Sequence, residues 1–276
     1  MSILPKIARS IEAFRRFGNP YHVLLKRALG KPFDLMTVED RASRIRCRCT
    51  IDSYHLFGGI WYSREYDVPW VPIRPGDTVL DIGANQGFFS CYAAHRGAQV
   101  YAFEPNPESF QRLIYNVSVN GFGGRVTAEP WAIADDRAET ELLVSNKLGG
   151  CMTTISPRFA QNTGLSVRTR MTVPCRTLAE ILDSYSLSRV RLCKIDAEGS
   201  ELTILSTLRP NHLELIDSFA IEIHPEAYEP RDLAEVVLGW GTHQIGFNDR
   251  REFAATIMRL ISNKLIMGEF PDAARL

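Results

Sequence analysis

The sequence predicts an α/β fold, a doubly wound and mostly parallel sheet with an N-terminal helical arm. Three observations predict it. From Asp77 onward, short apolar runs alternate with helix-length segments, and strands alternating with helices pair in parallel through crossovers. The first strand–helix junction carries a glycine turn, Asp81-Ile82-Gly83-Ala84-Asn85-Gln86-Gly87. The next strand ends in an acid, Glu104, 21 residues after Gly83. At that spacing an open parallel sheet offers a carboxylate to the ribose of a bound nucleoside.

The elements follow in order. Ile3, Leu4, Ile7, Ile11 and Phe14 recur at helical spacing and form one apolar stripe. Lys6, Arg9, Arg15, Arg16, Lys26, Arg27 and Lys31 make this arm basic, with Glu12 the only acid before Asp34. Stripes of this kind more often face a core, so residues 1–30 are expected to pack on their own domain or on a second copy of the chain. Docking on an anionic membrane surface or a carrier protein is the alternative. Residues 34–70 hold short alternating stretches and the aromatics of Trp61-Tyr62-Ser63-Arg64-Glu65-Tyr66. They read as an irregular segment, not an independent domain, so the expected division is 1–70 for arm and irregular segment and 71–276 for the α/β domain.

Strands are expected at Asp77–Ile82, Ala98–Phe103, Arg125–Trp131, Val190–Ile195 and Ser218–Ile223. Glu139–Val144 and Met171–Cys175 are expected as strands around a Gly- and Thr-rich excursion. Helices are expected from about Gly87 to Arg96, from Pro107 behind an Asn106 cap to Asn120-Gly121, and over Thr177–Ser184, Gly199–Leu208 and Arg231–Leu238.

Composition narrows the function. The chain has 276 residues, 45% hydrophobic and 23% charged, with 32 basic and 32 acidic side chains. This excludes disordered and disulfide-scaffold classes. A neutral chain has no global field to gather polyanions, so nucleic acid is not an expected partner. No apolar run reaches bilayer length, and the start lacks the apolar core of a signal peptide. Six scattered cysteines form no Cys-x-x-Cys pair. They read as free thiols in a reducing compartment, which makes a cytoplasmic location the expectation.

The glycine turn selects the ligand. A dinucleotide site wants Gly-x-Gly-x-x-Gly, with the second glycine bare against a pyrophosphate. Here Asn85 holds that place, and Asp81 just before the turn would repel a diphosphate. A ligand with a cationic end and a ribose suits the set better, and S-adenosylmethionine has both. A nicotinamide-dependent oxidoreductase on the same topology, or a nucleoside-binding protein without catalysis docked on a carrier or membrane, are the competing readings.

Val79-Leu80-Asp81-Ile82-Gly83-Ala84-Asn85-Gln86-Gly87-Phe88-Phe89-Ser90 resembles the first motif of the FkbM-type methyltransferases. Phe103-Glu104-Pro105-Asn106-Pro107 resembles their second, and Lys194-Ile195-Asp196-Ala197-Glu198-Gly199-Ser200-Glu201 their most distinctive signature, followed by Ile221-Glu222-Ile223-His224. The resemblance spans about residues 76–225. It implies a seven-stranded, Rossmann-like class I methyltransferase fold, S-adenosylmethionine as cofactor, and O-methylation of a sugar or another secondary-metabolite hydroxyl. Carried over by position, Asp81 lies near the methionine end, and Gly83, Ala84, Asn85 and Gly87 wrap it. Glu104, next to Pro105, holds the ribose, and Trp131-Ala132 borders the adenine.

Ligands in open parallel sheets sit outside the carboxyl ends of the strands, which gathers Asp81, Glu104, Asp196 and His224 into one crevice. Transfer of a methyl to oxygen needs a deprotonated nucleophile. Asp196 and His224 are the expected catalytic pair. Asp196 and Glu198 have a second reading at the start of the next helix, Glu201 could simply be solvated, and Glu222 needs an ionic partner if buried. Asp196, Glu198 and His224 are candidate ligands for Mg²⁺ or Mn²⁺. No contiguous metal motif exists, so metal-independent base catalysis is preferred. Gly149-Gly150-Cys151-Met152-Thr153-Thr154 suits a loop over the acceptor. Arg158, Arg168 and Arg170 are candidates for a phosphate of the acceptor or for a solvated surface.

Overall fold

A computed structural model describes residues 35–51, 53–68, 70–145, 152–250 and 256–263. Residues 1–34, with the basic arm, and 146–151, with Gly149, Gly150 and Cys151 of the excursion, lie outside the described residues. The chain opens with an antiparallel hairpin, β1 (Leu35–Asp40) and β2 (Ile45–Thr50). Strands β3 (Thr78–Ile82), β4 (Gln99–Phe103) and β5 (Val126–Glu129) follow, separated by the helices Phe88–His95 and Pro107–Val119. Then come β6 (Ala132–Ala134), β7 (Glu139–Ser145), β8 (Thr153–Thr154) and β9 (Val167–Thr177). The last strands are β10 (Leu192–Ile195), β11 (Ser218–Ile223), β12 (His243–Arg250) and β13 (Thr256–Ser262).

Seven strands form the central sheet in the order β12-β13-β11-β10-β3-β4-β5. Pairing is parallel from β11 to β5, and β13 runs antiparallel to both its neighbours. The chain grows outward from β3 through β4 to β5 and then restarts at β10 on the other side of β3. That reversal opens a crevice at the strand ends. It sets Lys194 directly across from Asp81 in the β10–β3 register.

The sequence signals work locally. Asn106 accepts the amide of Glu108, with Pro107 in the first helical position. Thr177 and Glu180 form a capping box before the helix Leu178–Ser184. Along β2, Cys47 and Cys49 alternate with exposed arginines and are fully buried. Asn116 of the helix Pro107–Val119 and Asn120 at its C-terminal cap hydrogen-bond both backbone groups of Arg48 and Arg46, so the helix grips the hairpin as a neighbouring strand would.

Three features depart from the expectation. The third strand is shorter than Arg125–Trp131: β5 stops at Glu129, before Pro130, which lacks an amide hydrogen. Ala132 then joins a second sheet, ordered β6-β9-β7-β8. Residues 35–63 form the hairpin, a helix Tyr54–Gly58 and a π-helical turn Gly59–Ser63 rather than an irregular run. Their buried side chains share one hydrophobic core with Val79, Phe88 and Leu113. The β12–β13 hairpin had no sequence counterpart. Ile257 to Ile261 are buried on both faces, and such a run lacks the alternation that marks a strand. No helix among the described residues is long and apolar enough to cross a membrane.

Candidate active site

The glycine turn is shaped by close approach. Gly83 has φ +71°, and a Cβ there would lie 1.8 Å from the carbonyl oxygen of Asp196. Only glycine lets β3 and β10 converge at this point. The amides of Gly83 and Ala84 both donate to Phe103 O at 3.0 Å, which locks the turn onto the end of β4. Asn85 adopts φ +50°, and its amide donates to Glu104 Oε2 at 2.7 Å. The amide of Asn106 donates to Glu104 Oε1 at 2.8 Å. Burial pushes the Glu104 carboxyl up to about 7, against the pull of these two amides and of Lys194.

Gly83, Asn85, Glu104, Pro105, Trp131 and Ala132 line an open crevice that Asp196 and Glu198 also line. Three expected cofactor residues stand behind this wall. Asp81 is fully buried, accepts the Ser90 hydroxyl at 2.6 Å and pairs with Lys194 Nζ at 3.2 Å. Its charge is answered by the protein's own ammonium, which the sequence reading gave no role. Ala84 is buried in the core. Gly87, with φ +77°, makes room for Leu113 of the adjacent helix, 2.9 Å from where its Cβ would sit, rather than for a ligand.

A dense ionic cluster occupies the ends of β10 and β11. Lys194 Nζ donates to Gly83 O at 2.7 Å and lies 3.6 Å from Asp196 Oδ2. His224 Nδ1 is 3.0 Å from Glu201 Oε1, and Nε2 is 3.5 Å from Glu198 Oε2 and 3.8 Å from Glu222 Oε1. Glu201 is not solvated. It is fully buried and accepts the amides of Ala197 and Gly199. Despite burial, His224 and the backbone amides hold it below its ordinary range, whereas burial lifts Glu198 to about 8 and Glu222 to about 7. Burial also pulls His224 down, but Glu201, Glu198 and Glu222 outweigh it and hold the imidazole well above its usual value. A raised imidazole holds its proton more tightly, which weakens it as a base. Glu198 keeps a left-handed φ of +47° while Thr154 Oγ1 donates to its carbonyl at 2.7 Å.

Asp196, Glu198 and His224 each bring a ligand atom within 4.8 Å of the others, a set of oxygens and one imidazole that suits Mg²⁺ or Mn²⁺. His224 itself does not line the crevice. It touches it through Glu198. Sequence reasoning missed Tyr66, whose hydroxyl meets both Asp196 and Glu222. Only its aromatic setting was legible. The three arginines lie in surface ion pairs, Arg158 with Glu229, Arg168 with Glu108 and Arg170 with Glu141.

The chain is similar in sequence to known methyltransferases. The chain is 28% identical to the 31-O-demethyl-FK506 methyltransferase FkbM of Streptomyces tacrolimicus over 201 residues, 63% of this chain and 75% of that one. It is 28% identical to the hexuronic acid methyltransferase AglP of Haloferax volcanii over 167 residues, 58% of this chain and 61% of that one. The crystal structure of methyltransferase FkbM from Methylobacillus flagellatus aligns at 18% identity with a TM-score of 0.49. It covers 93% of this chain, which spans 60% of that protein's length. A family model for the methyltransferase FkbM domain matches residues 81–258. Because that match takes in the glycine turn, the Glu104 strand end and the ionic cluster from Lys194 to His224, the chain belongs to the FkbM methyltransferase domain family.

Proposed function

We propose that this chain is an S-adenosylmethionine-dependent O-methyltransferase acting on a hydroxyl of a sugar, a glycoconjugate or a secondary metabolite. The observation that carries the reading is that one crevice is walled by Glu104 on one side and by Asp196 and Glu198 on the other. The residues fit the cofactor. A turn that tolerates no Cβ at Gly83, a carboxylate fixed by two amides and the Trp131 ring suit a nucleoside. Asp196 at the crevice wall offers a carboxylate to a ligand with a cationic end. Membership of a methyltransferase family displaces the nicotinamide reading.

When bound, S-adenosylmethionine supplies a methyl group already activated by its sulfonium. The protein's task is then to prepare the nucleophile. In this reading Glu104 holds the ribose hydroxyls, and Asp196 takes the proton from the acceptor hydroxyl as it attacks. His224 lies against Glu198, Glu201 and Glu222 and holds these carboxyls away from the acceptor. The names of the two relatives, one for an O-demethylated metabolite and one for a hexuronic acid, support a hydroxyl acceptor.

Incubation with methyl-labelled S-adenosylmethionine and a panel of sugars, glycoconjugates and hydroxylated metabolites tests the reading. Label is expected in a methyl ether. Cofactor binding with no transfer to any acceptor would favour a binding protein without catalysis. Chelation is expected to leave turnover within about twofold. Loss restored by Mg²⁺ or Mn²⁺ would instead assign Asp196, Glu198 and His224 as metal ligands.

A further inference from the structure

Tyr66 stands outside the stretch that matches the family, residues 81–258, yet its hydroxyl reaches the middle of the ionic cluster. The hydroxyl lies 3.0 Å from Asp196 Oδ2 and 2.7 Å from Glu222 Oε2. The ring is buried, meets Phe89 edge-on and lies under the Lys194 ammonium at 5.2 Å. Its segment is clamped from two directions. Arg259 on β13 donates to the carbonyls of Asp67 and Glu65 at 2.8 and 2.6 Å. The Tyr92 hydroxyl meets both carboxylate oxygens of Asp67 at 2.8 and 3.0 Å.

A phenol has one proton to donate, and two carboxylates compete for it. Asp196 Oδ2 is the oxygen that faces both Tyr66 and Lys194. Both contacts use Oδ2, so neither occupies Oδ1, the oxygen assigned to the acceptor hydroxyl in this reading. Without the phenol, Asp196 would keep only the ammonium at 3.6 Å, a contact with little directional control of the carboxylate plane.

We propose that Tyr66 is a positioning residue for methyl transfer: its hydroxyl spans Asp196 and Glu222, fixes the plane of the proton-accepting carboxylate at the crevice wall and makes the two acids share one donor. The inference rests on the O-methylation reading, with Asp196 as base. It also assigns a task to the segment that carries Tyr66, which lies N-terminal to the stretch that matches the family.

Tyr66→Phe removes only the hydroxyl. It is expected to lower kcat by about tenfold, the scale of one hydrogen bond to a charged group, with cofactor Kd and acceptor KM within about twofold. The loss should act through Asp196, so Tyr66→Phe in an Asp196→Asn background should cost nothing further. A second readout needs no turnover. The Cζ resonance of Tyr66 in ¹³C-tyrosine-labelled protein, assigned from its absence in Tyr66→Phe, should move in both Asp196→Asn and Glu222→Gln. Additive losses in the double variant, or a resonance unmoved by either carboxamide, would overturn the proposal. If the native protein methylates no hydroxyl while the resonance still responds to both carboxamides, the O-methylation reading fails and the shared phenol stands.

Discussion

The two halves of the crevice are built from different materials. At the ends of β3 and β4, the wall is backbone geometry. Gly83 lies against a carbonyl, Asn85 and Asn106 offer amides, and Glu104 fills the gap between them. At the ends of β10 and β11, the wall is side-chain charge, with Asp196, Glu198, Glu201 and Glu222 arranged around His224 and Lys194. Amides cannot be titrated or rotated away, so the first half is a rigid cradle suited to binding. Ionised side chains held near one another respond to protons and ligands, so the second half is suited to chemistry. A binding cradle fixed by backbone beside a reactive cluster fixed by charge lets an enzyme hold one ligand while it changes another.

That contrast can be broken by substitution. The largest effect is expected from Asp196→Asn, which should lower kcat by roughly 10²–10⁴-fold, the range for loss of a general base, while cofactor affinity stays within a few-fold. Calorimetric binding beside single-turnover rates checks the split. Equal damage to both would make Asp196 part of the cradle. Next comes Glu104→Ala, expected to weaken cofactor binding at least tenfold, because hydrogen bonds to a charged group contribute about 1.5–3 kcal/mol each. An unchanged affinity would remove Glu104 from the ribose site.

The pH dependence of stability sharpens the comparison. Glu104 and Glu222 rise to about 7 and Glu198 to about 8, from 4.5. The folded chain therefore keeps protons that the unfolded chain has released. Their contribution is largest below pH 4.5 and is lost as pH rises to about 8. His224, also raised, acts in the same sense, with its contribution complete below 6.5 and lost as pH passes its elevated value. Glu201, held low, acts oppositely, and its contribution is lost as pH falls below the ordinary carboxylate range. Calorimetric Tm should fall from about pH 5 to about pH 8, and Glu198→Gln should flatten that slope. A slope unaffected by this change would place the pH response outside the ionic half. The smallest effect is expected at the rim. Arg170→Ala removes an ion pair with Glu141 in which both side chains are more than half exposed, so stability should change by about 0.5 kcal/mol or less. Acceptor KM should stay within about twofold. A larger rise in KM would return Arg170 to the acceptor site.

Legibility in the sequence followed the same division. The turn from Asp81 to Gly87, the strand end at Glu104 and the Asn106-Pro107 helix start are contiguous signals, and each formed at its expected place. The parallel order β11-β10-β3-β4 followed from strand–helix alternation. Pairings over long separations were not legible. Nothing local in Lys194 says that its ammonium neutralises Asp81, and nothing in Tyr66 says that it reaches across 130 and 156 residues to Asp196 and Glu222.

By itself the sequence determined the doubly wound sheet, the glycine turn and the set of acids at the strand ends. These depend on periodicity, on glycine's freedom and on caps that act within a few residues. The tertiary structure decided which acids are answered by cations. It turned Asp81 inward to Lys194 and buried Glu201 beside His224, which raises that imidazole above its usual value. The physical reason is that burial and charge spacing are properties of assembled strands. A carboxylate's partner is set by sheet register and by segments that fold over it, and neither is written in the residues on its own strand.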